Sequence, residues 1–173
     1  MKKTIIILSI VVMLLSLIKS NTIIIPKESI RFRIIANSNN KKDQEVKKQL
    51  VANLSKEINN IEYNSNNIIN SREVIRTNIP QFKHIIHKTI TDLNYQDKYN
   101  INYGMNYFPE KEYKGTIYPE GEYESLVITL GDGLGENFWC VFFPPLCLLE
   151  TEDNSTDDID YSSLVQEIIN KYF

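Results

Sequence analysis

Several residue types are scarce in this 173-residue chain, and each scarcity excludes something. Alanine occurs only as Ala36 and Ala52 while Ile and Asn abound, a bias that reads as the codon usage of an AT-rich genome and not as a folding requirement. There are two histidines (His84, His87), two cysteines (Cys140, Cys147), one tryptophan (Trp139) and six glycines. A structural zinc site needs two ligand pairs at short spacing, and no second pair stands near Cys140 and Cys147. No Gly-x-Ser-x-Gly elbow is present for a serine hydrolase. The turn Gly131-Asp-Gly-Leu-Gly135 lacks the Gly-Lys-Ser/Thr of a P-loop and a following amphipathic helix, so it reads as tight packing. An excess of basic residues is missing too. The net charge is -3, and without residues 1–20, which hold three lysines and no acid, the remainder stands at -6. Nucleic acid is therefore excluded as the main partner, because phosphate binding needs a basic face.

The length suits one domain with a real core. Residues 1–20 read as a signal peptide or an uncleaved signal anchor, through which alone the chain would meet a membrane. Lys2-Lys3 precede an apolar run from Thr4 to Ile18, and Ile18-Lys19-Ser20-Asn21 is a poor cleavage site. Export would allow Cys140 and Cys147 to form a disulfide; two buried thiols are the other reading. Residues 21–29 are a linker or a first edge, ending the extended run Ile23-Ile24-Ile25 at Pro26.

Periodicity supplies the elements. Ile30-Arg-Phe-Arg-Ile34 alternates as a half-buried strand, continues to Ala36 and runs into a capping region, Asn37-Ser-Asn-Asn40. Val46, Leu50, Leu54 and Ile58 then predict a helix ending at Asn59-Asn60. Ser71 is the expected cap of a short helix that Pro80 should break or restart, and Phe82, Ile86 and Ile90 mark the face of the next. Ile101, Tyr103, Met105 and Tyr107 alternate with polar residues as a strand. A short strand before Tyr118-Pro-Glu-Gly121 and a third over Glu122–Leu130 follow. An acidic loop over 151–160 and a C-terminal amphipathic helix over 161–173 close the chain. The expected class is α+β, a single domain with a mostly antiparallel sheet and helices packed on one face.

Candidate chemistry is thin. His84 and His87 lie opposite the apolar helix face, which predicts solvent exposure and no metal site. Cys140 sits among apolar neighbours that would raise a thiol pKa, a poor setting for a nucleophile. Glu122 and Glu124 share one strand face, with Tyr123 and Ser125 on the other. Arg31 and Arg33 share a face of their own strand and are expected to pair with those acids. No cofactor is called for, and no catalytic residue stands out.

The least ordinary stretch is Asn137-Phe-Trp-Cys-Val-Phe-Phe-Pro-Pro-Leu-Cys147. It is either a hairpin held by a disulfide or a surface displayed to a partner. Together with Ile30-Arg-Phe-Arg-Ile-Ile-Ala-Asn-Ser38, Tyr107-Phe-Pro-Glu-Lys-Glu-Tyr113, Tyr118-Pro-Glu-Gly-Glu-Tyr-Glu124 and the Gly131–Gly135 turn, it resembles the stage II sporulation protein R family over about residues 30–150. Glu120 departs from that family's Tyr-Pro-Ala-Gly turn, and Phe138 replaces the first aromatic of its Trp-Trp-Cys run. The resemblance implies a sporulation signalling domain. It would be exported from the forespore into the space between the forespore and mother-cell membranes. There it would activate a membrane-embedded aspartic protease that processes pro-sigma E, and it would not itself be an enzyme. The alternative is an exported thiol-dependent or cell-wall-acting enzyme. Asn37, Ser38, Trp139, Phe143 and Pro144 are the expected partner-binding residues.

Overall fold

A computed structural model describes residues 23–64, 66–113, 116–147 and 161–173. The N-terminal signal or anchor segment (1–20), the start of the expected linker and the acidic loop (151–160) lie outside the described residues.

Seven strands and three helices are described: β1 (Ile23–Ile24), β2 (Ile30–Ile35), α1 (Lys41–Tyr63), α2 (Ile68–Asp92), β3 (Tyr99–Phe108), β4 (Lys111–Tyr113), β5 (Thr116–Tyr118), β6 (Gly121–Leu130), β7 (Asn137–Phe143) and α3 (Tyr161–Tyr172). Asn40 caps α1, its side chain accepting the Asp43 N–H at 2.8 Å. The helix passes Asn59-Asn60 because Ile61 is buried with Val46, Leu50, Leu54 and Ile58, and one more apolar contact outweighs the weak helix propensity of two asparagines.

The second helical region differs from expectation. α2 is a single helix with Pro80 inside it, capped by Asn67 and not by Ser71. Ser71 lies buried within the first turn and donates its hydroxyl to the Asn67 carbonyl at 2.8 Å. The chain carries the proline because apolar residues on both sides of it, Ile75 before and Phe82 and Ile86 after, are fully buried on one line. Just upstream, the Asn78 amide donates to the Val74 carbonyl at 2.7 Å, supplementing the helical ladder there.

The strands form a four-stranded sheet in the order β3-β6-β2-β7 and a three-stranded sheet in the order β1-β5-β4. Antiparallel ladders (β2–β7, β3–β6, β4–β5) outnumber parallel ones among the described residues, as the α+β expectation has it. The pair at the centre of the large sheet, β2–β6, is parallel, and so is β1–β5. β1 and the buried Ile23 and Ile25 make the stretch before β2 part of the fold, the first edge of the smaller sheet.

The main core lies between the large sheet and α1–α2. Ile30, Phe32 and Ile34 of β2, Leu126, Ile128 and Leu130 of β6, and Cys140 and Phe142 of β7 meet Leu50, Leu54, Ile58, Phe82 and Ile86 there. Phe32 stacks at 4.8 Å on Phe142. The other face of the sheet is not open. α3 reaches round the sheet edge: Tyr172 packs against Phe143 of the main core, while Val165 and Ile169 pack with Ile23, Ile25, Tyr118, Val141 and Leu146, and Val141 alternates with Cys140 and Phe142. Helices therefore do not share a single face, and the smaller sheet with α3 supplies a third layer.

Candidate functional site

The two stretches that carry the sequence signal become neighbours. In the β2–β7 ladder Phe32 faces Cys140, Arg33 faces Trp139 and Ile34 faces Phe138. The loops that follow β2 and β6, two parallel strands, leave the sheet at the same end. They are stitched together there. The Asn37 side chain accepts the Asp132 N–H at 2.8 Å and donates to the Asp97 carboxylate at 3.2 Å. The Asn37 carbonyl accepts the Leu134 N–H and the Ala36 carbonyl the Gly135 N–H, both at 2.9 Å. The Asn39 side chain takes the Glu136 N–H at 2.7 Å.

This stitching explains the glycines. Gly131 has a φ of +54° and lies so near Asn37 that a Cβ would fall 2.3 Å from its side-chain oxygen. At Gly135 a Cβ would fall 2.4 Å from the Ser38 carbonyl oxygen. The Ser38 hydroxyl donates to Asp43 at 2.6 Å, so the same loop anchors the start of α1, where a carboxylate also meets the helix dipole. Burial, followed by the Asp43 and Asp97 carboxylates, pushes the Tyr95 hydroxyl above the usual tyrosine range. Asn37 and Ser38 are half-buried, and Leu134 at the tip is 80% exposed.

Trp139 is half-buried and makes an edge contact with Phe108, ring centroids 5.1 Å apart. Phe143 is 4% exposed and packs against Tyr172 at 5.3 Å, and Pro144, after a cis peptide bond, is also buried. These two expected partner contacts are thus corrected to packing residues, because β7 turns inward at its end to meet α3. Cys140 and Cys147 form a disulfide, and both are buried. The Cys147 N–H donates to the buried Glu62 carboxylate at 2.6 Å, tying the turn to the end of α1. The segment is therefore an edge strand with a stapled turn, and not a hairpin by itself.

The acids and bases settle differently from the cross-strand expectation. The β2–β6 register sets Arg31 against Ser125, so both arginines point to the face of Tyr123 and Ser125, away from Glu124. Glu124 instead holds the Arg72 Nε at 2.8 Å and accepts the Tyr103 hydroxyl at 2.7 Å. Burial, then Glu124, raises the Tyr103 pKa. Arg31 is 1% exposed, its guanidinium 3.3 Å from the Tyr123 ring centroid, and burial lowers its pKa to about 10, partly opposed by Tyr123 and Tyr118. His84 and His87 are exposed on α2. Reading the strands alone missed this arginine layer. The signal was there in two bases alternating with core residues, but nothing local says what covers the basic face.

A family model described as stage II sporulation protein R matches residues 26–153. The chain belongs to this family. It is 38% identical over 163 residues to stage II sporulation protein R of Bacillus subtilis strain 168, covering 87% of this chain and 73% of that protein. No solved structure matches. The family match takes in β4 and β5 of the smaller sheet, the stitched loops and the disulfide, so the sporulation family's shared region comprises most of the described fold and not only its sequence motifs.

Proposed function

We propose that this chain is a sporulation signal. It is made in the forespore and exported into the space between the forespore and mother-cell membranes. There it activates a membrane-embedded aspartic protease of the mother cell, which processes pro-sigma E. The observation that carries the reading is the family match over residues 26–153. The Cys140–Cys147 bond agrees with it, since disulfides persist outside the reducing cytoplasm. The partner surface we favour is the sheet end where Asn37, Ser38 and the exposed Leu134 meet, together with Trp139. The thiol-enzyme alternative loses support because its only two sulfhydryl residues are bonded to each other, and a nucleophile needs a free thiolate.

Co-expression of the full chain with the protease and its pro-sigma substrate tests the reading. Processing should require all three proteins and should fail for a Trp139→Ala chain that remains folded. Absence of processing with a correctly exported wild-type chain would remove the assignment.

A further inference from the structure

The large sheet ends on one side in β3, and that edge is bare. β3 runs ten residues, Tyr99–Phe108, without Lys, Arg, Asp, Glu or Pro, and its register with β6 is unbroken. Sheet edges are ordinarily blunted by charge, proline, a bulge or shortness, and β3 has none of these. The Lys98 carbonyl accepts the Gly131 N–H at 2.7 Å, which sets the phase of the β3–β6 ladder. Even-numbered residues of β3 turn their backbone groups toward β6, and Tyr99, Ile101, Tyr103, Met105 and Tyr107 turn theirs outward. No other strand or loop among the described residues meets those outward groups. The helices stop short of this edge, since Met105 is 63% exposed and Tyr107 54%.

A row of outward N–H and carbonyl groups calls for another extended strand. The residues of β3 point to which strand that is. Tyr99-Asn-Ile-Asn-Tyr103-Gly-Met-Asn-Tyr107 reads nearly alike in both directions about Tyr103. An antiparallel copy centred there sets Tyr99 opposite Tyr107, Asn100 opposite Asn106, Ile101 opposite Met105 and Asn102 opposite Gly104, with Tyr103 opposite its own copy. Each pair joins residues of the same sheet face, the outward backbone groups meet one another, and no like charges are brought together. A two-fold interface requires this kind of self-complementarity. We propose that β3 is the interface of a homodimer, in which two copies of this chain pair edge to edge over Tyr99–Tyr107 and join their large sheets into one. The interface does not rest on the signalling reading, because backbone pairing and the strand's own symmetry define it.

Sedimentation velocity and amide hydrogen exchange of the full chain, each from about 10 µM to about 1 mM, test the pairing. A reversible dimer with a dissociation constant on the order of 100 µM is expected. The N–H groups of Ile101, Tyr103 and Met105 should gain protection as concentration rises, while those of Asn100, Asn102 and Gly104 stay protected throughout. Asn100→Lys/Asn106→Lys sets lysine opposite lysine twice and should weaken the dimer about tenfold or more. Asn100→Lys/Asn106→Glu sets lysine opposite glutamate at the same positions and should keep it. The exchange readout on the wild type decides the matter even where loss of the Asn106 amide, which donates to the Ser125 hydroxyl at 2.9 Å, unfolds both variants. A chain that stays monomeric at about 1 mM, a dimer that leaves exchange at Ile101, Tyr103 and Met105 unchanged, or equal dimerisation of the two folded variants overturns the interface.

Discussion

Gly135→Ala probes the junction that joins the two signature segments. A Cβ at Gly135 would sit 2.4 Å from the Ser38 oxygen, 2.7 Å from the Ser38 carbonyl carbon and 3.0 Å from the Ala36 Cβ. The nearest of these atoms is backbone, so no side chain can swing aside, and the two loops must part by about 1 Å to restore ordinary contact. The Gly135-to-Ala36 and Leu134-to-Asn37 hydrogen bonds, both 2.9 Å, lie in that gap. Losing them costs about 1 kcal/mol each, and forced overpacking adds about 1–3 kcal/mol. Reduced freedom of the unfolded chain returns about 0.4–1 kcal/mol. The net expectation is a loss of about 2–4.5 kcal/mol, read from urea unfolding followed by far-UV circular dichroism. Gly104→Ala is the matched control. Nothing lies within 4 Å of its would-be Cβ in mid-strand β3, so it should be neutral or stabilising by about 0.5 kcal/mol. If both variants lose the same stability, or Gly135→Ala stays within about 0.5 kcal/mol of wild type, close packing is not why a glycine stands there.

Four further outcomes are expected. Replacing both cysteines by serine should lower stability by about 2.5 kcal/mol, the loop-closure value for Cys140–Cys147, and the wild type should show a similar drop in reductant; an unchanged urea midpoint would contradict this. Pro80→Ala should stabilise the protein by about 1–3 kcal/mol by restoring a helical N–H within α2, checked as a rise in melting temperature. Trp139→Ala should cost about 2 kcal/mol through its contact with Phe108 and leave native circular dichroism, whereas an unfolded variant would place Trp139 in the essential core. The raised pKa of Tyr103 means that the unfolded chain loses that proton first, so stability should fall as pH climbs past about 10, by about 1.4 kcal/mol per unit for this group. Tyr103→Phe should flatten that slope, as measured by unfolding at successive pH values.

The buried arginine layer bears on how the fold is specified. Arg31 and Arg33 could have been placed on solvent by a sheet with one wet face, and the six-residue pattern of β2 reads that way. The small sheet and α3 cover that face instead, at the cost of desolvating a charge. Tyr123, Phe108 and Trp139 offset part of that cost through their ring faces. That makes the aromatics of β3, β6 and β7 supports for two cations, a role their identity as apolar residues did not announce.

By itself the amino-acid sequence determined the local elements: the alternation of Ile30–Ile34, the four-residue spacing of Val46 to Ile58, and the alternation from Ile101 to Tyr107 each recur as a strand or helix at those residues. These signals are local because each depends on which side of one element is apolar. It also carried the family resemblance, in segments long and unusual enough to stand without a structure. Tertiary structure alone decided the parallel β2–β6 pair, the continuity of α2 through Pro80, and the inward turn of Phe143 and Pro144. It likewise gave Glu124 to Arg72 and left Arg31 among aromatic rings. Strand order and register arise from contacts between residues far apart in the chain, and alternation says that a face is apolar or basic without saying what will cover it.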